Sequence, residues 1–133
     1  MQAFYDLPEH LNEYSHRVIG AAIEVHRHLG PGFLEKTYEE ALVVELGLRN
    51  IKVQRQLSIP ITYKDQLIHS CCLDLLVEDE LVVEVKAVEQ ILRVHRAQVH
   101  SYLRAGPFQL GLVINFNVHS LRDGIARVID TMI

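Results

Sequence analysis

The chain has 133 residues, of which 49% are hydrophobic and 23% charged; this suits one domain, 1–133, with a core that needs no disulfides, and excludes a disordered chain. Its net charge of −4 excludes a protein that coats nucleic acid through cationic side chains alone, since such proteins are basic. It does not exclude an enzyme whose bound cation supplies the local positive charge.

The first element expected is an amphipathic helix from about Pro8 to Leu29. Leu11, Tyr14, Val18, Ala22, Val25 and Leu29 recur at spacings of three and four, which puts them on one face. Asp6 and Glu9 resemble a capping box at its start, and Gly30-Pro31-Gly32 stops it. A second helix follows from Phe33 to about Gly47–Asn50, with Leu34, Tyr38, Ala41, Leu42 and Leu46 on its apolar side. Val53 to Tyr63 reads as extended, with Pro60 marking a bend or a sheet edge, and Lys64-Asp65-Gln66 as a turn. Leu67 to Val77 and Leu81 to Ala87 read as strands joined by the polar Glu78-Asp79-Glu80. Ile91 to Ala105 is a third helix closed by Gly106-Pro107, Gln109 to Phe116 an apolar strand, and Leu121 to Ile129 a short final helix. The order ααβββαβα implies an α/β fold, a mixed sheet flanked by helices. No apolar run approaches the roughly 18 residues of a membrane span. Met1 to Asp6 has no signal-peptide character, so a cytoplasmic protein without a membrane partner is expected. Cys71 and Cys72 are adjacent, too poorly placed for a mutual disulfide, and read as small buried apolar residues.

Residues two apart in a strand share a face. Glu84 and Lys86 therefore lie on one face with Val82, while Leu81, Val83, Val85 and Ala87 take the other. In the preceding strand Asp74 shares a face with Ser70, Cys72 and Leu76. If Glu78-Asp79-Glu80 is a three-residue loop, Val77 pairs with Leu81, and counting back sets Asp74 opposite Glu84. Like charges facing across a strand pair are destabilising. A hard divalent cation such as Mg²⁺ or Mn²⁺ would justify them, because it takes carboxylate oxygens together with substrate phosphate. Lys86 could then orient a water or stabilise charge developing on phosphorus. The alternative is a solvent-exposed sheet edge with scattered charges.

Asp74 followed by Glu84-Val85-Lys86 resembles the D…ExK signature of the PD-(D/E)XK nuclease superfamily. The segment His26 to Leu42, containing Gly32-x-x-Glu35-x-x-Tyr38, is similar to the GxxExxY proteins assigned to that superfamily. Further matches are Val83 to Val88, Ala97 to Leu103 and Gly111 to Phe116, so the resemblance runs from about Leu7 to Val128. It implies a restriction-endonuclease-like mixed β-sheet flanked by helices. It also implies a Mg²⁺ or Mn²⁺ site formed by Asp74, Glu84, the carbonyl of Val85 and the helical acid Glu35, with Lys86 as the catalytic lysine. Gln98-x-x-x-Tyr102 resembles a motif that lies beside the active centre in the exonuclease branch.

Each of these residues also has a structural reading. Glu35 could cap its helix, Tyr38 could pack in the core with its hydroxyl near the site, and Gln98 and Tyr102 could be a surface pair one turn apart. Arg93, Arg96, His100 and Arg104 form a basic stripe that suits either solvent or a phosphate backbone. The eight histidines show no HExxH or i, i+4 pattern of a metal site. The expected activity is metal-dependent hydrolysis of phosphodiester bonds in nucleic acid, DNA foremost, with Gln98, Tyr102, Tyr38, Arg93 and Arg96 contacting substrate. A nuclease-fold binding module without turnover and a hydrolase of a small phosphorylated molecule remain as alternatives. The oligomeric state is open, a homodimer included.

Overall fold

A computed structural model describes residues 7–130. It begins with helices α1 (Glu9–Leu29) and α2 (Glu35–Leu48). From the predicted stripe, α1 buries Leu11, Val18, Ala22 and Val25, while Tyr14 and Leu29 are half-buried at its margins. Its N-cap is Pro8, with no side-chain cap; Asp6, the expected capping residue, lies outside the described residues. Between the helices Gly30 and Gly32 take φ of 68° and 114°, values that favour glycine because it has no Cβ.

Tyr38, Leu42 and Leu46 of α2 are fully buried. Leu34, expected on the same apolar side, is the N-cap instead and is 78% exposed. The Tyr38 ring stacks on Phe116 with centroids 4.7 Å apart. Its hydroxyl donates to the Gly30 carbonyl and accepts from the Phe33 N–H at 3.1 Å. One side chain thus ties the interhelical loop to the core.

Five strands follow: β1 (Val53–Tyr63), β2 (Gln66–Val77), β3 (Leu81–Lys86), β4 (Leu110–Asn115) and β5 (Ile125–Ile129), with helix α3 (Arg93–Ala105) between β3 and β4. They lie side by side in chain order, and every neighbouring pair is antiparallel except β3–β4. A parallel pair needs a crossover, which α3 provides. Lys64 and Asp65, with φ of 49° and 67°, form the two-residue hairpin turn whose geometry matches strand twist. Val77 pairs with Leu81 across Glu78-Asp79-Glu80, as expected from the three-residue loop.

The chain end departs from expectation. Leu121–Gly124 is a 3₁₀ turn and Ile125–Ile129 a strand, not a helix. Apolar residues at 121, 125, 128 and 129 satisfy helical spacing. However, Ala126 and Val128 also alternate as a strand, and β5 pairs with β4 from Leu110↔Ile129 to Ile114↔Ile125, covering an edge that would otherwise be bare. The cysteines also differ. Cys71 is half-buried and Cys72 exposed, because the β1–β2 hairpin runs outward and residues 66–70 of β2 are all exposed. Pro60 lies in β1, an edge strand of the sheet.

Core side chains fill both sheet faces. Leu75, Val77, Val83, Val85, Leu112 and Ile114 pack with α1 and α2. Leu76, Val82 and Val113 pack with Val99 and Leu103 of α3. Strict alternation would set Leu73 with Leu75, but Leu73 packs on the α3 side with Cys71 and Ile59. The alternation therefore breaks at Asp74, and the expected common face of Ser70, Cys72, Asp74 and Leu76 does not continue through it. No described helix is long and apolar enough to cross a membrane.

Replacing Tyr38 with Phe keeps the stack on Phe116 and removes only the hydroxyl. It should lower unfolding free energy by about 1–2 kcal/mol, the range for a partly buried hydrogen bond whose partners lose their mate. Urea unfolding measures this, and an unchanged midpoint would mean that the loop does not depend on the hydroxyl.

Candidate active site

β2 and β3 pair at only three positions, Leu75↔Val83, Leu76↔Val82 and Val77↔Leu81. Beyond them the strands part. β2 continues with β1, and β3 continues with β4 as far as Lys86↔Asn115. Asp74 and Glu84 stand at this fork, at the next step of the register. Glu84 Oε2 accepts the Asp74 N–H at 2.9 Å, and Asp74 Oδ2 accepts the Val85 N–H at 2.9 Å. Each acid takes up a backbone donor that the separating strands leave behind, which buried N–H groups require.

Glu84 is only 4% exposed. Burial, reinforced by the charge of Asp74, pushes its carboxyl up to about 8, against the pull of the Asp74 N–H and of Lys86. Asp74 is also raised, first by burial and then by the charges of Glu39 and Glu35, while the Val85 N–H and Lys86 oppose the shift. Two acids held this close, one buried and one half-buried, favour keeping a proton unless a cation joins them. Lys86 lies two residues beyond Glu84, and its Nζ donates to Gln98 Oε1 on α3 at 3.3 Å. Its carbonyl accepts the Phe116 N–H at 2.9 Å. One turn beyond Gln98, burial and then the charge of Glu84 raise the Tyr102 hydroxyl to about 12, so it stays protonated and can donate.

Glu35 opens α2 and is exposed. Its charge raises both fork acids. With Glu39, Arg55, Gln56 and Asp74 it lines a cleft of about 640 Å³. Among the described residues no three His, Cys, Asp or Glu side chains are gathered into a ready metal cluster. One oxygen of each fork acid is committed to a backbone N–H, and Glu35 stands at the exposed helix start.

Three expected substrate contacts lie away from the fork. Tyr38 belongs to the core, with its ring buried and its hydroxyl held by backbone, and so cannot touch substrate. Arg93 and Arg96 do not flank the fork. The buried line of α3 runs through Val99 and Leu103, and at about 100° per residue the two arginines fall on one flank of it and Gln98 and Tyr102 on the other. With His100 and Arg127 they line a separate groove of about 380 Å³ along β5.

Sequence reasoning missed Glu39, Arg55, Gln56 and Asn115. Asn115 is buried and bonds both the N–H and the carbonyl of Val88 at 3.0 and 2.9 Å, fixing the chain that leaves Lys86. Glu39 is buried and accepts from Arg55 Nε at 2.7 Å and from Gln56 Nε2 at 3.0 Å. The one available signal was its position one turn beyond Glu35.

The sequence model of the PD-(D/E)XK nuclease superfamily matches residues 12–128, which include both fork acids, Lys86, strands β1 to β4 and all but the last residue of β5. The chain belongs to the PD-(D/E)XK nuclease superfamily. No curated protein and no solved structure matches it. The mixed five-stranded sheet flanked by helices is the superfamily's restriction-endonuclease-like fold. Membership indicates a nuclease-type function on nucleic acid, in a superfamily that typically uses divalent metals. The donors at the fork suit such an ion: they are hard oxygens, and a dication would relieve the repulsion of two close carboxylates.

The pH dependence follows from Glu84. Its unfolded value is the ordinary 4.5 and its folded value about 8. Between these values the unfolded chain has lost a proton that the folded chain retains, so stability falls as pH rises through this window and levels off above it. Asp74 is shifted in the same direction. Urea midpoints in EDTA should therefore decline from about pH 5 to about pH 8, and Glu84→Gln should flatten the decline. An equally steep decline in Glu84→Gln would place its source elsewhere.

Proposed function

We propose that this superfamily member is a Mg²⁺- or Mn²⁺-dependent nuclease that hydrolyses phosphodiester bonds in DNA. The observation that carries this reading is the pair of acids at the strand fork, Glu84 buried and Asp74 half-buried, with Lys86 beside them and tethered to Gln98. Asp74, Glu84 and the Val85 carbonyl would hold the ion, with Glu35 acting through water. The ion, when bound, neutralises phosphate oxygens and makes water a better nucleophile at neutral pH.

The side chains supply the remainder. Gln98 accepts from Lys86 Nζ and so aims the ammonium, whose other protons can orient the attacking water or meet charge developing on a phosphoryl oxygen. The Tyr102 hydroxyl, protonated at neutral pH, can donate to a phosphate oxygen from the same helix face. Arg93 and Arg96, on the far flank, would meet the backbone of a longer substrate away from the scissile bond. Free Cys71 and Cys72 suit a reducing compartment such as the cytoplasm.

Calorimetry should show saturable Mn²⁺ binding that Asp74→Ala and Glu84→Ala abolish and Lys86→Ala retains. DNA cleavage should need the metal and fall at least ~10²-fold in Lys86→Ala, the scale of a lost electrostatic or acid–base group. Cleavage that persists in a contaminant-free Lys86→Ala preparation would remove Lys86 from the chemistry. Mn²⁺ binding undiminished in both acid variants would move the metal away from the fork.

The distal arginines have a separate signature. The double variant Arg93→Ala, Arg96→Ala should reduce the salt slope of DNA binding by about two, one unit for each phosphate no longer neutralised, and leave cleavage at saturating DNA unchanged. An unaltered slope would mean that the two side chains face only solvent.

A further inference from the structure

Among the described residues six non-glycine residues have positive φ. Asn50 follows α2, Lys64 and Asp65 form one hairpin turn, and Glu78 and Asp79 belong to another. The sixth, Gln56 at φ 53°, lies inside strand β1. The register on either side, Arg55↔Leu75 and Leu57↔Leu73, sets it opposite Asp74, and neither Gln56 nor Asp74 joins the β1–β2 ladder. The β1–β2 pairing is therefore interrupted at the fork acid itself.

The Gln56 carboxamide is held on three sides. Nε2 donates to the Glu39 oxygens at 3.1 and 3.0 Å and reaches Asp74 Oδ1 at 3.5 Å. Oε1 accepts from the Cys72 thiol at 3.2 Å. Glu39 is in turn fixed by Arg55 at 2.7 Å. An extended residue at position 56 would stand its side chain perpendicular to the sheet. The left-handed backbone turns it instead toward α2 and Asp74 together. Residue 56 lies within a strand and not in a turn, and glutamine adopts this conformation with strain.

We infer that Gln56 is a positioning residue for the metal centre, anchored by Glu39 and holding the Asp74 carboxylate in its aim through a strained mid-strand backbone. The inference rests on the reading of Asp74 and Glu84 as metal-holding acids. The rival role is a strut that joins β1 to α2 for stability alone. The two roles predict opposite results for Gln56→Gly, because glycine takes φ 53° without strain yet has no carboxamide. Gln56→Asn tests the same point with a residue that tolerates the left-handed region but is one methylene too short to span Glu39 and Asp74.

The experiment compares parent, Gln56→Gly and Gln56→Asn in three measurements: thermal unfolding in EDTA, Mn²⁺ titration by calorimetry, and hydrogen exchange of the Val85 amide in EDTA. The Val85 amide donates to Asp74 Oδ2, so its protection reports Asp74's position without any metal. Positioning predicts that Gln56→Gly melts at or above the parent temperature. It also predicts Mn²⁺ binding weakened about tenfold or more and Val85 exchange faster by about tenfold, with Gln56→Asn changing both in the same direction. A lower melting temperature with parental Mn²⁺ affinity and parental Val85 exchange would establish the strut and overturn the inference, as would no change in any measurement. If the parent itself fails to bind Mn²⁺, the metal reading falls separately, and Val85 exchange still decides whether Gln56 holds Asp74.

Discussion

Where β2 and β3 separate, two carboxylates replace the hydrogen bonds that the ladder gives up. This exchange connects the fold to the site. A strand fork inside a core strands backbone N–H groups, each of which costs about 1–3 kcal/mol if left unpaired. Glu84 and Asp74 accept those donors at 2.9 Å each, so the opening is tolerable only because acids stand there. The acids are in turn held at fixed depth by the strands. Val83 and Val85, on the opposite face, pack against α1 and α2 and keep β3 from shifting along its axis.

The arrangement is poor for stability. Burial raises the pKa of both acids, the charge of Asp74 further opposes the ionisation of Glu84, and the charges of Glu39 and Glu35 oppose that of Asp74. Gln56 adds a left-handed backbone in mid-strand, a conformation that costs of order 1–3 kcal/mol at a residue other than glycine. An apolar pair at 74 and 84 with an ordinary extended residue at 56 would remove these penalties. Such penalties tend to concentrate at functional sites, where they belong to the mechanism.

Much of this was legible in the sequence because strand parity and loop length are rigid constraints. Counting back from the Glu78-Asp79-Glu80 loop brought Asp74 to Glu84, and parity put Lys86 on the Glu84 face; the register and the hydrogen bond to Gln98 agree with both. The failures share a cause, which is that local pattern cannot report what lies across the sheet. Residues 121–129 fit helical and strand spacing equally, and only the open edge of β4 chooses between them. Cys71 and Cys72 look apolar, but their hairpin extends beyond the body. Tyr38 lies one turn from Glu35, yet its stacking partner Phe116 is at the far end of β4. Gln56 was invisible because its significance depends on a register between two strands and on a φ value that no residue type announces.

The charge distribution around the fork also constrains the order of events. Glu35, Glu39, Glu40 and Asp74 line the cleft against Lys36 and Arg55, and Arg55 is already paired with Glu39 and Glu40. The arginines of α3 lie on its other flank. Lys36 in the cleft and Lys86 beside the fork are thus the positive charge set against four acids, which is a weak attraction for a phosphate diester. Without metal, Glu84 keeps a proton at neutral pH, its carboxyl sitting near 8. On the proposed reading, a dication loading there would have to expel that proton, since metal ligands bind deprotonated. The same event would remove the penalty of two facing acids and supply the positive field that a phosphate needs. Proton and metal would then compete for one oxygen pair, and the cleft would attract a polyanion only once the metal is held. A chain with a net charge of −4 would in this way act on nucleic acid without a basic surface at its active site.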